Sequence, residues 1–385
     1  MQIHATLKEI LSGSTTDIYF HRAEEILKKE NKNPEVVVEV WAKNFPDNYP
    51  WCLFAGLGEV IDLLKGKEVD LWALLEGSLF LEREPVMTIK GKYLEFGSLE
   101  TPLLGYICQA SGISTKAARC KIAAGERAIL SFGARRMHPS ITPVIDRYAY
   151  LGGVDGVSAI LSGERLGIKS KGTIPHSVIL ILGDTKAAAL AYDRAIPEGI
   201  PRIILVDTFR DEKVDALRVA NALKERLDAV RIDTPSSRRG DLALIAQEIR
   251  GELDLRGYKD VGIFASGGID EKEIVKLNPW VNGYGVGTSL SNAPTINFSL
   301  DIVEIQGKPV TKKGKTAGRK EVYECRKCGK RKISFHKDPG KRCECGSEMD
   351  LLTKKIMEKG RLTVEMETPD EIRKRVLNRL RFLDV

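Results

Sequence analysis

The sequence lacks long hydrophobic runs. Its apolar stretches, such as VILILG, fall far short of the roughly 20 residues a bilayer-spanning helix needs. Its start, MQIHATLKEIL, has no basic segment leading into an apolar one, so no secretory leader is expected. Neither GxGxxG nor GxxxxGK[ST] occurs, which argues against a dinucleotide fold and a P-loop. No internal repeat and no long low-complexity stretch is present. These absences point to a cytoplasmic protein with no membrane partner.

Cysteine is sparse but uneven. Of seven cysteines, Cys52, Cys108 and Cys120 are scattered, while Cys325, Cys328, Cys343 and Cys345 form one cluster. In a cytosolic chain that grouping favours metal over disulfides. C-x2-C followed by C-x-C can place four thiolates around a tetrahedral Zn²⁺, although the second pair is tighter than usual. Four ligands leave no open position, so such a zinc is structural.

At 385 residues, 43% of them hydrophobic, the chain has material for two or three domains with real cores. The formal charge of +7 suits a phosphorylated ligand or nucleic acid. Residues 1–105 read as a mixed α/β domain, with a helix in HRAEEILKKENK and a strand in VVVEVW. Residues 106–290 alternate short apolar runs with helical patterns, which means βαβ units and a parallel sheet. The runs are ILSFG, VDGVSAI, RIILVD, AVRID, VGIFAS and NGYGVG. Pattern alone does not choose between a closed barrel and an open doubly wound sheet. SVILILGDTKAAALAYDRAI reads as one helix. Residues 291–385 hold a basic loop, KPVTKKGKTAGRK, then the cysteines and a charged helix.

In parallel α/β folds ligands sit at the carboxyl ends of the strands. The residues there are Arg135, Arg136 and His138; Asp207, Thr208 and Arg210; Asp233 and Thr234; Ser266, Gly267 and Gly268; and Gly287 and Thr288. Glycines at SGGID and GYGVGT let backbone N–H groups approach a phosphate, or simply make tight turns. One arginine of FGARRMHP can fork onto a carboxylate or phosphate. Neighbours on an extended segment point to opposite sides, so the two do not share one ligand. Asp207 can hold sugar hydroxyls or Mg²⁺, or cap the next helix. In GTIPHS a histidine stands at a helix mouth, as a ligand, a proton carrier or a cap.

TDIYF (16–20), FGARRMHP, GGVDGVSA, GTIPHS, DTFRDE, SGGID and GYGVGT occur in that order. Together, over about residues 1–300, they resemble the nicotinate phosphoribosyltransferases, type II phosphoribosyltransferases, and the cysteine-bearing tail is similar to the small zinc domain of archaeal members. The resemblance implies an incomplete α/β barrel with an N-terminal mixed α/β domain and a small C-terminal zinc-binding domain. It implies a homodimer or higher oligomer with shared active sites. The reaction it implies joins nicotinate to 5-phosphoribosyl-1-diphosphate, giving nicotinate mononucleotide and diphosphate in NAD biosynthesis. Mg²⁺ accompanies the diphosphate, and many members couple turnover to ATP.

By matching positions, Asp17 and Tyr19 reach the pyridine ring across the dimer interface; the bland reading is a capping aspartate and a core tyrosine. Arg136, or else Arg135, holds the nicotinate carboxylate or the diphosphate. Thr173 and Ser266 join the substrate contacts. Gly267, Gly268, Gly287 and Thr288 cradle the 5-phosphate, and Asp207 and Asp233 sit near ribose or Mg²⁺. His176 matches the histidine that ATP-using members phosphorylate. The chain departs from the family at Val157-Ser158-Ala159, where members often read TSN. It also reads RIDTPSSRRGD for RLDSGD, an insertion bearing Arg238 and Arg239. The rival readings are a quinolinate or nicotinamide phosphoribosyltransferase and a zinc-ribbon nucleic-acid-binding protein. The basic stretches around the cysteines interleave no aromatics beyond Tyr323 and Phe335 for base stacking, which disfavours the last.

Overall fold

A computed structural model describes residues 3–238, 240–337 and 342–383, so Arg239 lies outside the described residues. The chain forms two compact units, 1–115 with 294–376, and 116–293 with 377–385.

The second unit is built on six parallel strands: Ala128–Ser131, Gly156–Val157, Ile203–Leu205, Ala229–Ile232, Gly262–Ser266 and Gly283–Val286. The last strand pairs with the first, Gly283 opposite Ala128. Every other step moves to the neighbouring strand in the same sense, except that from Gly156–Val157 to Ile203–Leu205, which spans the two unpaired edges. A doubly wound sheet reverses its winding partway along. This one never does, so it is an α/β barrel with one open seam.

Its strands form where the sequence concentrates short apolar runs. Ile129, Ile204, Val230, Ile232, Ile263, Ala265, Tyr284 and Val286 are fully buried. Asp211, Asp241 and Asp270 start the following helices by accepting backbone N–H bonds. The glycines of GYGVGT mainly serve packing. A Cβ on Gly285 would lie 2.3 Å from the Phe132 ring, and one on Gly283 2.6 Å from Phe264.

The single helix expected over 177–196 is instead two, His176–Leu182 and Thr185–Ala195. Gly183 turns left-handed at φ 74°, and the Asp184 carboxylate caps the second helix at Ala187 N–H. The expected boundary at 105 falls inside a continuous helix, Glu100–Ala124.

The first unit is an antiparallel sheet. Its order is Lys308–Pro309, Phe298–Ile305, Glu35–Ala42, Pro85–Lys92, Val69–Ala73, Lys354–Glu358 and Arg361–Leu362. Residues 294–376 therefore group with the chain start rather than standing apart. Val40 pairs with Leu300, and Trp72 with Lys355. Val38, Val40, Leu71, Met87 and Ile89 share its core with Leu57, Val60 and Leu64 of the helix Leu57–Leu64. A small three-stranded sheet, Lys320–Cys325 with Arg331–Phe335 and Met349–Leu351, carries the cysteine cluster.

Candidate active site

The carboxyl ends of the barrel strands meet around a residue that reading only strand ends had passed over. Arg231 lies inside the strand Ala229–Ile232, with its side chain 15% exposed. Its Nε donates to Ser266 Oγ (2.8 Å) and its Nη1 to Thr173 Oγ1 (2.8 Å), while Nη2 stands 3.4 Å from the Asp233 carboxylate. Ser266 Oγ in turn donates to Asp233 Oδ1 at 2.7 Å. The guanidinium stacks over the Phe132 ring, 4.9 Å from its centroid. Three expected residues, Thr173, Asp233 and Ser266, are thus joined through one unexpected one.

Burial pulls the Arg231 pKa down, opposed by the charges of Asp233 and Asp207. A guanidinium stays charged under that pressure, so a buried cation faces the barrel mouth. It has five N–H donors, and the described partners engage three nitrogens without using every hydrogen. The sequence signal for it was a lone arginine within an otherwise apolar strand.

His176 and Asp207 also come together. His176 Nε2 is 3.2 Å from Asp207 Oδ2, whose side chain is 2% exposed. Hydrogen bonding to Asp207 raises the imidazole pKa; partial burial opposes it, and the charges of Asp207 and Asp233 add to it. Asp207 therefore orients the ring and favours the imidazolium, instead of capping a helix. His176 is the first residue of a seven-residue helix. Beside Asp207, Thr208 Oγ1 is buried without a partner among the described residues, a polar atom left for something else to satisfy.

Gly267 and Gly268 follow strand Gly262–Ser266 with φ of 85° and 74°. Only glycine adopts both without strain, so the loop exposes bare backbone. Thr288 is exposed and opens the short helix Thr288–Ser291, with Gly287 just before it. Arg135 and Arg136 are exposed on a 3-10 turn, Ala134–Arg136, not on the extended segment expected from sequence. The charge of Arg135 reaches Arg231.

Asp17 and Tyr19 belong to the first unit, and the bland reading of both fails there. Asp17 occupies the N-cap of the helix Ile18–Lys29 yet makes no capping bond. Tyr19 is 57% exposed, not core. The same unit has a cavity of about 510 Å³ walled by Glu39, Trp41, Asp301 and Lys315. Its acids are matched internally: Lys315 bonds Asp301 at 3.0 Å and covers the Trp41 ring, and Lys320 pairs with Glu39.

The four clustered sulfurs lie within 4.8 Å of one another, with Cys325 and Cys345 3.5 Å apart and Cys328 and Cys343 3.6 Å apart. Zn–S bonds of about 2.3 Å in a tetrahedron require S···S edges of about 3.8 Å. The cluster fits a metal such as zinc.

Residues 17–111 match the family description "Quinolinate phosphoribosyl transferase, N-terminal domain", and residues 113–301 its C-terminal domain. A nicotinate phosphoribosyltransferase of Mycobacterium tuberculosis is 30% identical over 82% of this chain and 76% of its own length. One from Bacillus subtilis is 28% identical, covering 80% and 72%. The crystal structure titled nicotinate-nucleotide pyrophosphorylase from Pyrococcus furiosus superposes with a TM-score of 0.97 at 45% identity, over 100% of this chain and 99% of that one. The human nicotinic acid phosphoribosyltransferase shares the fold, with a TM-score of 0.78 at 22% identity over 96% and 94%.

Proposed function

The chain belongs to the nicotinate phosphoribosyltransferase family, and on that premise we propose that its barrel mouth joins nicotinate to 5-phosphoribosyl-1-diphosphate. The observation that carries the substrate assignment is the buried Arg231 cation set among Thr173, Ser266 and Asp233. A guanidinium held in place by neighbours matches a planar carboxylate in shape and charge. Arg135, whose charge reaches the same point, and Arg136 next to it face the diphosphate. The exposed backbone of Gly267 and Gly268, with Gly287 and Thr288, cradles the 5-phosphate.

In the reaction the pyridine nitrogen attacks C1 of the ribose with its own lone pair. The N–C bond forms as the C–O bond to diphosphate breaks, and the sugar carbon becomes cation-like between them. No proton must be removed, so orientation and charge stabilisation suffice. The carboxylates of Asp233 and Asp207 can accept hydrogen bonds from ribose hydroxyls or would supply hard oxygen ligands to Mg²⁺ carried in by the diphosphate.

In the neutral ring of His176, Nε2–H donates to Asp207 and the Nδ1 lone pair takes the terminal phosphoryl group of ATP as its bond to ADP breaks. The His176→Ala enzyme should lose ATP stimulation of nucleotide synthesis while its basal rate stays within about threefold. Equal stimulation in the variant would rule this role out. Zn²⁺ held by Cys325, Cys328, Cys343 and Cys345 orders the tail.

A homodimer with shared sites is supported by exposed apolar faces in both units. These are Ile18, Tyr19 and Ile26 in the first, and Ile160, Leu161, Leu180 and Ile181 in the second. Among the described residues no helix is long and apolar enough to cross a membrane. A cytoplasmic setting agrees with seven cysteines, none of them in a disulfide.

The test is to incubate purified protein with Mg²⁺, phosphoribosyl diphosphate and labelled nicotinate, with and without ATP. Quinolinate and nicotinamide run in parallel. The highest kcat/KM is expected for nicotinate. Tyr19 sits beside Asp17 and Glu100, whose charges both act on it, and acids there disfavour a second ring carboxylate. A higher kcat/KM for quinolinate would refute the assignment.

A further inference from the structure

The Asp17 carboxylate, spared from capping its own helix, is held from elsewhere. Thr101 lies in the first turn of the 25-residue helix Glu100–Ala124. Its hydroxyl donates to Asp17 Oδ2 at 2.9 Å and accepts from Asp17 N–H and from Thr16 Oγ1, each at 3.2 Å. A hydroxyl has one hydrogen and two lone pairs, and all three are used here on consecutive residues of TDIYF. Tyr19 stands two residues on, in the helix that Asp17 starts, and the charge of Asp17 acts on its hydroxyl.

We propose that Thr101 is a positioning residue for the pyridine-binding edge, fixing Asp17 and, with it, the helix start that carries the exposed Tyr19. This rests on the reading of Asp17 and Tyr19 as substrate contacts. Three observations carry it. The Asp17 side chain caps no backbone N–H of the helix it starts. The anchor stands on a long helix rather than a loop, and a rigid support holds a contact within the tolerance a binding site needs. Tyr19 is exposed and its ring packs only against the adjacent buried Phe20 among the ring contacts of the described residues, centroids 4.4 Å apart, so its position follows that of the helix start. The electrostatics agree. Burial raises the neighbouring Glu100 carboxyl to about 7; Lys312 opposes the rise, and Asp301 and Asp17 add to it. Near neutral pH Glu100 is thus partly protonated and repels Asp17 only in part.

Thr101→Val keeps the side-chain shape and removes the hydroxyl. It should raise the KM for nicotinate about ten-fold, with kcat and the KM for phosphoribosyl diphosphate changed less than about two-fold. Thr101→Ser should restore the KM. Asp17→Asn, measured alongside, separates the two layers of the argument. If Asp17→Asn raises the nicotinate KM and Thr101→Val does not, the positioning role is wrong and the substrate edge stands. Parallel changes in both KM values with a lower Tm would reduce Thr101 to a structural residue and also overturn the proposal. An unchanged nicotinate KM in Asp17→Asn would remove the edge itself, and the proposal with it.

Discussion

Replacing Arg231 with methionine should lower kcat/KM for nicotinate about a thousand-fold, with Tm falling by only a few degrees. The estimate combines loss of a preorganised charged donor, about 10²–10³ in rate, with loss of the bidentate carboxylate partner. Methionine fills much of the same volume over Phe132, so the change is electrostatic more than steric. The competing account is that Arg231 is only a scaffold tying Ser266, Thr173 and Asp233 together. Under that account Tm and both KM values should worsen together, and nicotinamide, which has no carboxylate, should suffer as much as nicotinate. A thousand-fold loss confined to the carboxylate substrate decides for binding. If sites are shared between subunits, mixing the inactive Arg231→Met and Tyr19→Ala proteins should return up to about a quarter of wild-type activity. That figure assumes random exchange in a symmetric dimer.

Metal removal is the second large effect. Purified protein should contain one zinc per chain, and chelation should unfold the segment from Lys320 to Leu351. The buried apolar cluster there is Tyr323, Cys325 and Met349, far too little for a segment below about 40 residues to fold by burial alone. Zinc supplies about 10–16 kcal/mol in comparable peptides. The damage should extend past the ribbon. Arg331 bonds the Glu84 carboxylate at 2.7 Å and the Leu79 carbonyl, with the two charged side chains 11% and 4% exposed. Losing a buried partner costs about 3–5 kcal/mol, so Tm should drop as the Leu79–Glu84 stretch is left behind. Limited proteolysis should cut first among the ribbon lysines. A metal-free preparation as resistant as the untreated one would show that the four thiolates do not hold a structural ion.

Much of the barrel was legible because its signals are local. Each strand is a short apolar run closed by glycine, aspartate or serine, and three of the following helices start at an aspartate, Asp211, Asp241 and Asp270. The winding was not legible, because periodicity says where strands lie and not which edges meet. The helix Glu100–Ala124 escaped notice for a different reason. It buries small residues, Ala110, Ser111, Ser114, Ala117 and Ala118, and contains Gly105 and Gly112. A Cβ on Gly112 would lie 2.3 Å from the Pro294 carbonyl oxygen. Close backbone approach selects small side chains and erases the apolar stripe that marks an amphipathic helix. Arg231 was missed by a rule that looks only beyond strand ends, where its own ion-pair partner Asp233 sits. Pairing of Glu35–Ala42 with Phe298–Ile305 joins residues more than 250 positions apart, and no local pattern announces that.

That last pairing orders events on the ribosome. One edge of Glu35–Ala42 finds Pro85–Lys92 early in synthesis, but the other waits until Phe298–Ile305 has left the exit tunnel, after all six barrel strands have been made. Throughout that interval a nascent chain carries an unsatisfied row of β-branched valines. Translation speed and chaperone supply should therefore govern the yield of intact protein more than its final thermodynamic stability does.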